Sequence, residues 1–450
     1  MIKGAVNPRG QALRVLTEVF EQGAYSNLAL KAALQTTEAR DAALIKQLVF
    51  GTVTYRQSLD YLLGQWLTRP LASLDANVRN VLRLGLYQII YLGTPDHAAV
   101  SESVNLARAV SHQGAAGLVN AILRRAVRER ARLPWPKTDD PVHDLTIRYS
   151  FPEWMVQRWL QRLGQPGAEA FCRAQNEAPA VELRVNSLRS TRPELLQALA
   201  VQGVEARPHP LVQTSVQVTG ASLPNLQALS SGHCTVQGAA STLVGLVVDP
   251  QPGELIYDLC AAPGGKAIHL AELMADKGQV LALDNHAGRL QLIAQAAARM
   301  HVSAVKPLEA DARALSPADW QLADRVLVDA PCSGMGVIRR KPDIRWNRTA
   351  RDILELQSLQ MEILAAAASV VKPGGSLVYS VCSTEPEETE AVVCGFLQQH
   401  RDFAPADWPE ELQAAFPGRV SRGQLTTYPH LDDLDGFFIC RLQRAITASS

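Results

Sequence analysis

The chain has 450 residues, of which 47% are hydrophobic and 20% charged, and its 44 Lys and Arg balance 44 Asp and Glu. At roughly 100–200 residues per domain this predicts a multidomain globular protein and excludes wholesale disorder. No apolar run approaches the roughly 18 residues that a membrane helix requires. The Met1-Ile2-Lys3-Gly4 terminus has no apolar signal segment, so a cytoplasmic protein is expected. Seven cysteines without a Cys-x-x-Cys pair argue against a disulfide scaffold and against a structural zinc site, and no metal is expected.

The zero net charge hides a gradient. Residues 1–133 carry 16 Lys and Arg against 9 Asp and Glu, residues 134–222 carry nine of each, and residues 223–450 carry 19 against 26. A basic first third beside an acidic second half fits a polyanion-binding region joined to a catalytic one. Residues 9–132 read as helix throughout: Leu13, Leu16 and Phe20, then Leu44 and Leu48, then Val78, Leu82, Leu86 and Ile89 recur at helical spacing. Breaks at Gly23, Gly64, Arg69-Pro70, Gly93-Thr94-Pro95 and Gly114 outline five to seven helices. The last ends in Arg124, Arg125, Arg128, Arg130 and Arg132, either a solvated face or an RNA contact.

Pro134-Trp135-Pro136 and Thr138-Asp139-Asp140-Pro141 stop any helix, which places a linker there and predicts domains at 1–135, 140–222 and 223–445. The middle segment reads as a small α+β module. It has a helix with Trp154 and Trp159, an alternating strand over 181–186, and a capping box at Thr191-Arg192-Pro193-Glu194. From Glu254 the pattern is strand, turn, helix. Strands are expected at 255–259, 280–283, 304–308, 325–329 and 376–381, and helices at 266–274, 288–299, 352–370 and 387–399. The fold class is therefore a helical bundle, a small α+β module and an α/β domain with a mostly parallel sheet covered on both faces.

Ligands of such sheets bind beyond the carboxyl ends of the strands. The first strand ends in Asp258-Leu259-Cys260-Ala261-Ala262-Pro263-Gly264-Gly265-Lys266, where small residues admit a ligand close to the backbone. It is neither a dinucleotide fingerprint nor a phosphate loop. Asp284 ends the second strand, placed to accept both ribose hydroxyls of a nucleoside cofactor or to cap a helix. Asp311 follows the third, facing an adenine edge or capping a turn. Acids at successive strand ends without a phosphate cradle favour S-adenosylmethionine. The fourth strand ends in Asp329-Ala330-Pro331-Cys332-Ser333-Gly334, and the next carries Tyr379-Ser380-Val381-Cys382-Ser383. Cys172, Cys234, Cys394 and Cys440 read as buried small hydrophobes. Cys332 and Cys382 instead sit at strand ends beside the pocket.

Methylation at carbon 5 of a pyrimidine calls for such a thiol. A thiolate added to carbon 6 makes carbon 5 nucleophilic, after which a base removes the carbon-5 proton and the thiol leaves. A thiol of pKa about 8.5 must be activated for this, and Asp329 is placed to hold the cytosine N3/N4 edge. Arg339, Arg340, Lys341, Arg345, Arg348 and Arg351, with Trp346 among them, oppose their domain's acidic sign and read as a backbone clamp with a stacking platform, or as a solvated loop.

The motifs Asp258–Lys266, Asp329–Gly334 and Val381-Cys382-Ser383 together resemble the RNA cytosine-5 methyltransferase family of the NOL/NOP/Sun group. Gly117–Arg125 and the helices around it resemble the NusB-type RNA-binding domain. The resemblance implies a Rossmann-like class I methyltransferase domain, with Cys382 as nucleophile, Cys332 assisting product release and Asp329 beside the base. It implies S-adenosylmethionine bound by Cys260, Ala261, Ala262, Pro263, Gly264, Gly265, Lys266, Asp284, Asp311 and Asp329. It also implies a substrate cytosine in a hairpin loop of 16S ribosomal RNA, methylated on the naked RNA. Nothing in the sequence demands an oligomer, and a monomer is expected. Val381, Ala267 and Gly238 depart from the usual Thr, Thr and acidic residue. Three alternatives are weighed. A DNA cytosine-5 methyltransferase would use the Pro-Cys cysteine. An amino-group methyltransferase would need an Asn/Asp-Pro-Pro-aromatic motif that the chain lacks. A non-catalytic RNA-binding factor would need neither thiol.

Overall fold

A computed structural model of the chain describes residues 7–35, 37–219 and 226–446. The tetrapeptide Met1-Ile2-Lys3-Gly4 and the expected boundary at 222/223 lie outside the described residues. The chain forms two compact units, Met1–Ala178 with Ile338–Asn347, and Pro179–Val337 with Arg348–Ser450. Residues 141–178, read in sequence with the small sheet module, cluster with the first unit.

The first unit is helical: α1 (Pro8–Gln22), α2 (Ser26–Ala33), α3 (Ala39–Thr54), α4 (Arg56–Trp66), α5 (Ala76–Ile90), α6 (Asp96–Val110), α7 (Gln113–Glu129), α8 (Pro141–Tyr149) and α9 (Glu153–Asn176). Asn7 caps α1, with Pro8 in its first turn, and Gly23 ends it in the left-handed region at φ 70°. Asp75 caps α5. Gly64 does not break a helix: α4 runs through it to Trp66, because Leu59, Leu62, Leu63 and Trp66 bury one face and packing outweighs the propensity cost. Leu13, Leu16, Leu48, Leu82, Leu86 and Leu123 share one core.

Residues 338–347, with the one-turn helix α15 (Ile344–Asn347), belong to this unit. The clamp expected here is overturned at its two central residues. Arg345 is fully buried. It donates to the carbonyls of Pro342 (3.1 Å), Thr54 (3.3 Å) and Ser150 (3.1 Å) and to Asn176 Oδ1 (2.8 Å), and its guanidinium lies 4.1 Å from the Phe151 ring centroid. Trp346 packs against the helical core and donates to the Val53 carbonyl at 2.8 Å. These side chains satisfy backbone groups inside the unit, so they offer neither a phosphate contact nor a stacking surface. Arg351 pairs with Glu355 in the helical i,i+4 relation.

The second unit begins with a four-stranded antiparallel sheet of β1 (Val181–Val185), β2 (Glu205–Pro208), β3 (Ser215–Thr219) and β4 (Cys234–Val236), in the order β2-β3-β1-β4. Helices α10 (Arg192–Val201) and α11 (Gln227–Ser230) accompany it, and the Thr191–Glu194 capping box opens α10. Next come α12 (Ala239–Val248), β5 (Leu255–Asp258), α13 (Gly265–Leu273), β6 (Gln279–Asp284), α14 (Ala287–Met300), β7 (Val305–Glu309), β8 (Ala323–Asp329), α16 (Ala350–Ser369), β9 (Val371–Val381), α17 (Glu390–Gln399), β10 (Phe403–Pro405), β11 (Gln424–Thr426) and β12 (Phe438–Arg444). The large sheet runs β10-β12-β9-β8-β5-β6-β7. Strands β5 to β9 pair in parallel and β12 runs antiparallel to β9. Ile256, Ala282, Leu327 and Val378 point to one face, toward α12 and α13. Tyr257, Leu283, Val328 and Tyr379 point to the other, toward α16 and α17. A one-residue slip would exchange the two sets between faces packed against different helices, so the register is held by the fit of each face to its own layer. The expected Pro373-Gly374-Gly375 turn lies inside β9, where pairing jumps from Ala323↔Val371 to Arg325↔Ser376.

Candidate active site

The carboxyl edge of the large sheet collects the polar residues of the second unit. Strands β8 and β9 are parallel neighbours with Asp329 opposite Ser380. Ser380 donates to Asp329 Oδ1 at 2.8 Å, and Lys266, from the first turn of α13, donates to Oδ2 at 2.7 Å. Burial alone would lower the Lys266 pKa. The charge and hydrogen bond of Asp329, then the charges of Asp258 and Cys382, more than offset it and hold the amine protonated. The carboxylate keeps a further lone pair on each oxygen and stays 27% exposed.

Beyond these strands the chain places Cys332 and Cys382 with their sulfur atoms 3.0 Å apart. Both are half-buried. The Cys332 thiol is held well above its ordinary pKa by its hydrogen bond to Cys382, then by burial, then by the charges of Cys382 and Glu388. The Lys266 ammonium interacts favourably with negative charge on Cys382 and is placed to stabilise a thiolate formed there.

The glycine-rich turn after β5 places Gly264 at φ 101°, where a Cβ would lie 3.2 Å from Ile293. Asp258, at the end of β5, is 1% exposed, and neither of its carboxylate oxygens has a hydrogen-bond partner. Burial, followed by the charge of Asp329, lifts its pKa to about 7. Asp284 ends β6 at 7% exposure and accepts from the His286 amide at 3.0 Å. Asp311 is turned instead onto Arg313, accepting at 2.6 Å from its guanidinium, and this hydrogen bond lowers its pKa. The thiol of Cys260 is raised by desolvation and then by Asp258 and Asp329, which marks it as unreactive.

Cys172, Cys234 and Cys440 are buried, whereas Cys394 is exposed on α17 and is not the core residue expected. Val381 and Ala267 are fully buried in apolar surroundings. Where Gly238 lacks an acid, Glu182 of β1 accepts the Ala239 amide at 2.9 Å and supplies a carboxylate to the same helix start. Sequence reasoning missed Glu388, Gln360 and the serines that follow each cysteine. Glu388 lies in a run of acids (Glu385-Pro386-Glu387-Glu388) at the start of the helix expected over 387–399, with nothing in the sequence to set it apart, yet it is fully buried.

In the first unit, α6 and α7 line a groove of about 680 Å³ that includes Arg108, Arg124 and Arg128. Asn105 accepts from Arg108 at 3.2 Å and Asn120 from Arg124 at 3.0 Å. These amides orient the guanidinium groups without neutralising them.

The family described as 16S rRNA methyltransferase RsmB/F matches residues 245–443. The NusB family matches residues 6–128, and the ferredoxin-like domain of RsmF/B-like methyltransferases matches residues 151–223. A Bacillus subtilis protein named probable ribosomal RNA small subunit methyltransferase B is 37% identical over 97% of this chain and 98% of its own length. A Yersinia pseudotuberculosis ribosomal RNA small subunit methyltransferase B is 35% identical over 98% of this chain and 99% of its own. Among solved structures, that of PH0851 superposes with a TM-score of 0.79 at 28% identity, covering 98% of this chain and 99% of the other. NSun6 from Pyrococcus horikoshii with SFG shares the fold at a TM-score of 0.59 and 23% identity, over 66% of this chain and 99% of the other.

Proposed function

The chain belongs to the 16S rRNA methyltransferase RsmB/F family, and from that premise we propose that it methylates carbon 5 of a cytosine in 16S ribosomal RNA, with S-adenosylmethionine as donor and Cys382 as covalent nucleophile. The observation that carries this reading is the pair of sulfur atoms 3.0 Å apart at the edge of β8 and β9, next to the Lys266–Asp329 pair.

The residues present fit the donor. The buried Asp258 carboxylate, which no side chain hydrogen-bonds, suits an ammonium group, and Asp284 suits ribose hydroxyls. When bound there, S-adenosylmethionine supplies a sulfonium methyl group to the activated carbon 5. The remaining work falls to the chain. Asp329, pinned by Ser380 and Lys266, accepts from the N3/N4 edge of the base and orients the ring. The Cys382 thiolate adds to carbon 6 and pushes electron density to carbon 5. Once that sulfur is bonded to carbon, its hydrogen bond and charge no longer hold a proton on Cys332, which leaves only burial and the Glu388 charge to raise that thiol, and the Cys332 proton passes to solvent. The Cys332 thiolate then takes the carbon-5 proton. The electron pair of that C–H bond restores the C5–C6 double bond and expels Cys382 as thiolate.

Cys382→Ala abolishes methyl transfer while S-adenosylmethionine affinity stays within about threefold, since the sulfur adds to the base and not to the donor. Cys332→Ala forms the carbon–sulfur bond but cannot release it, and accumulates a protein–RNA band on a denaturing gel. Normal turnover by Cys382→Ala overturns the nucleophile assignment. Absence of the band with Cys332→Ala overturns the release role. Bisulfite sequencing of the product RNA locates the cytosine.

A further inference from the structure

Glu388 takes no part in the chemistry above, yet its buried carboxylate joins both thiol-bearing loops. Oε1 accepts from the Ser333 amide at 2.7 Å and from Gln360 Nε2 at 3.1 Å. Oε2 accepts from the Ser333 and Ser383 hydroxyls, each at 2.5 Å. Ser333 directly follows Cys332 and Ser383 directly follows Cys382, and their hydroxyls lie 3.3 Å apart. Gln360 also donates to the carbonyl of Pro331, the residue before Cys332, at 2.9 Å. The Tyr379 hydroxyl ties the Glu388 carbonyl to β9 at 2.7 Å. A buried carboxylate is tolerated only when donors surround it. Here the donors come from the chain positions next to the two sulfurs. A purely structural plug at this position would not need a charge, because an apolar side chain of similar volume is often at least as stable.

We propose that Glu388 is a positioning residue that sets the spacing of the Cys332 and Cys382 sulfurs, so that one pyrimidine can present adjacent carbons to both. The proposal rests on the two-cysteine reading above. Glu388 touches neither base nor donor and acts through Ser333 and Ser383. A glutamine at 388 keeps the volume and, with its NH2 toward the Ser333 and Ser383 hydroxyls, which can turn to accept, keeps a weaker, neutral link between the loops. An alanine removes the link entirely.

The test uses the full-length protein as wild type, Glu388→Gln, Glu388→Ala and Cys332→Ala. The first measurement needs no RNA. Diamide accepts two hydrogens and is reduced to the hydrazine while two neighbouring thiols become a disulfide. The rate at which the Cys332 and Cys382 peptides become linked, read by mass spectrometry, reports how often the sulfurs meet. Glu388→Ala is expected to link at least fivefold more slowly than wild type, with Glu388→Gln between the two as a partial rescue. The second measurement is the ratio of denaturation-stable RNA adduct to released methylated RNA. It should rise at least fivefold in Glu388→Ala, toward the Cys332→Ala value, and less in Glu388→Gln. A merely structural role would reduce the number of folded molecules, lowering adduct and product together and leaving the ratio unmoved. The decision rests on Glu388→Ala, with folding checked by its unfolding midpoint; if it does not fold, it rests on Glu388→Gln, which must still link more slowly than wild type. An unchanged linking rate or an unchanged ratio in the folded variant overturns the proposal. If Cys332→Ala shows no adduct, the two-cysteine reading has failed, and the diamide rate still decides whether Glu388 sets the spacing.

Discussion

Asp258→Asn should make the protein more stable, and by a margin that grows with pH. The Asp258 carboxyl is 1% exposed, and its pKa is lifted from 3.8 to about 7. At roughly 1.4 kcal/mol per unit, ionising it inside the fold costs about 4 kcal/mol. The sign follows from proton binding. An acid with a raised folded pKa holds its proton more tightly when folded, so its contribution is greatest below the unfolded pKa and is lost as pH rises through the folded value. Between pH 6 and pH 8 this loss amounts to about 1.4 kcal/mol, and the asparagine variant escapes it. Thermal unfolding of wild type and variant without donor should therefore diverge by a further 3–5 °C or about that between the two pH values, at roughly 2–4 °C per kcal/mol. A donor ammonium against this carboxylate favours the ionised form, so S-adenosylmethionine should bind about tenfold more weakly per pH unit below pH 7. Asp258→Asn removes that slope. A stability difference that stays constant with pH, or a wild-type donor affinity that is flat from pH 5.5 to 7, refutes the reasoning.

Three further substitutions test separate parts of the molecule. Arg108→Gln with Arg124→Gln and Arg128→Gln should weaken RNA binding and reduce its logarithmic salt slope by about 2, at about 0.7 per single-strand phosphate contact; an unchanged slope moves the RNA contact away from the α6–α7 groove. Arg345→Met leaves the carbonyls of Thr54, Ser150 and Pro342 without their buried donor and should cost about 3–5 kcal/mol of stability. The same variant should keep the wild-type salt slope in its folded fraction, and a drop of a full unit would restore the clamp reading of that segment. Gly336→Ala places a Cβ 1.8 Å from the Gly436 carbonyl oxygen, so one backbone must move. It should lose about 2 kcal/mol and most of its methylation rate, and an unchanged melting point would show that the backbone yields freely.

Much of the architecture was legible because its signals are local. Parallel strands buried on both faces read as short apolar runs, and the expected strand at 255–259 differs from β5 (Leu255–Asp258) by one residue. The helices of the first unit follow from their apolar period, with seven between Pro8 and Glu129. The acids and thiols at strand ends are visible once the alternation of strand and helix is read. Partners distant in sequence are not visible. An arginine among arginines looks the same in sequence whether it meets phosphate or, like Arg345, three carbonyls and an aromatic ring. Glu385, Glu387 and Glu388 look alike in sequence, and nothing in a run of acids says that Glu385 and Glu388 face inward while Glu387 is only half-buried. Of the two readings open for Asp311, the structure shows the cap: its carboxylate accepts the Arg313 amide at 3.0 Å as well as the guanidinium, a contact that spans only two residues and is local enough to read.

The thiol pair shows how topology creates a site that no single motif contains. Neighbouring strands lie about 4.8 Å apart, and strands one place further about twice that. Two sulfurs can serve adjacent carbons of one ring only if their strands are neighbours. Strands β8 and β9 are, although Asp329 and Ser380 are 51 residues apart in the chain. From that shared register, Cys332 lies three residues past Asp329 and Cys382 two past Ser380. The two loops leave the sheet together, and Ser333, Ser383 and Glu388 keep them from splaying. The same register lets Ser380 hydrogen-bond Asp329 while Lys266 reaches it from α13. One strand pairing thus positions both the proposed nucleophile and the carboxylate proposed to orient the base. A disturbance of the β8–β9 register should therefore impair base orientation and thiol addition together, whereas a change confined to the turn after β5 should impair donor binding alone.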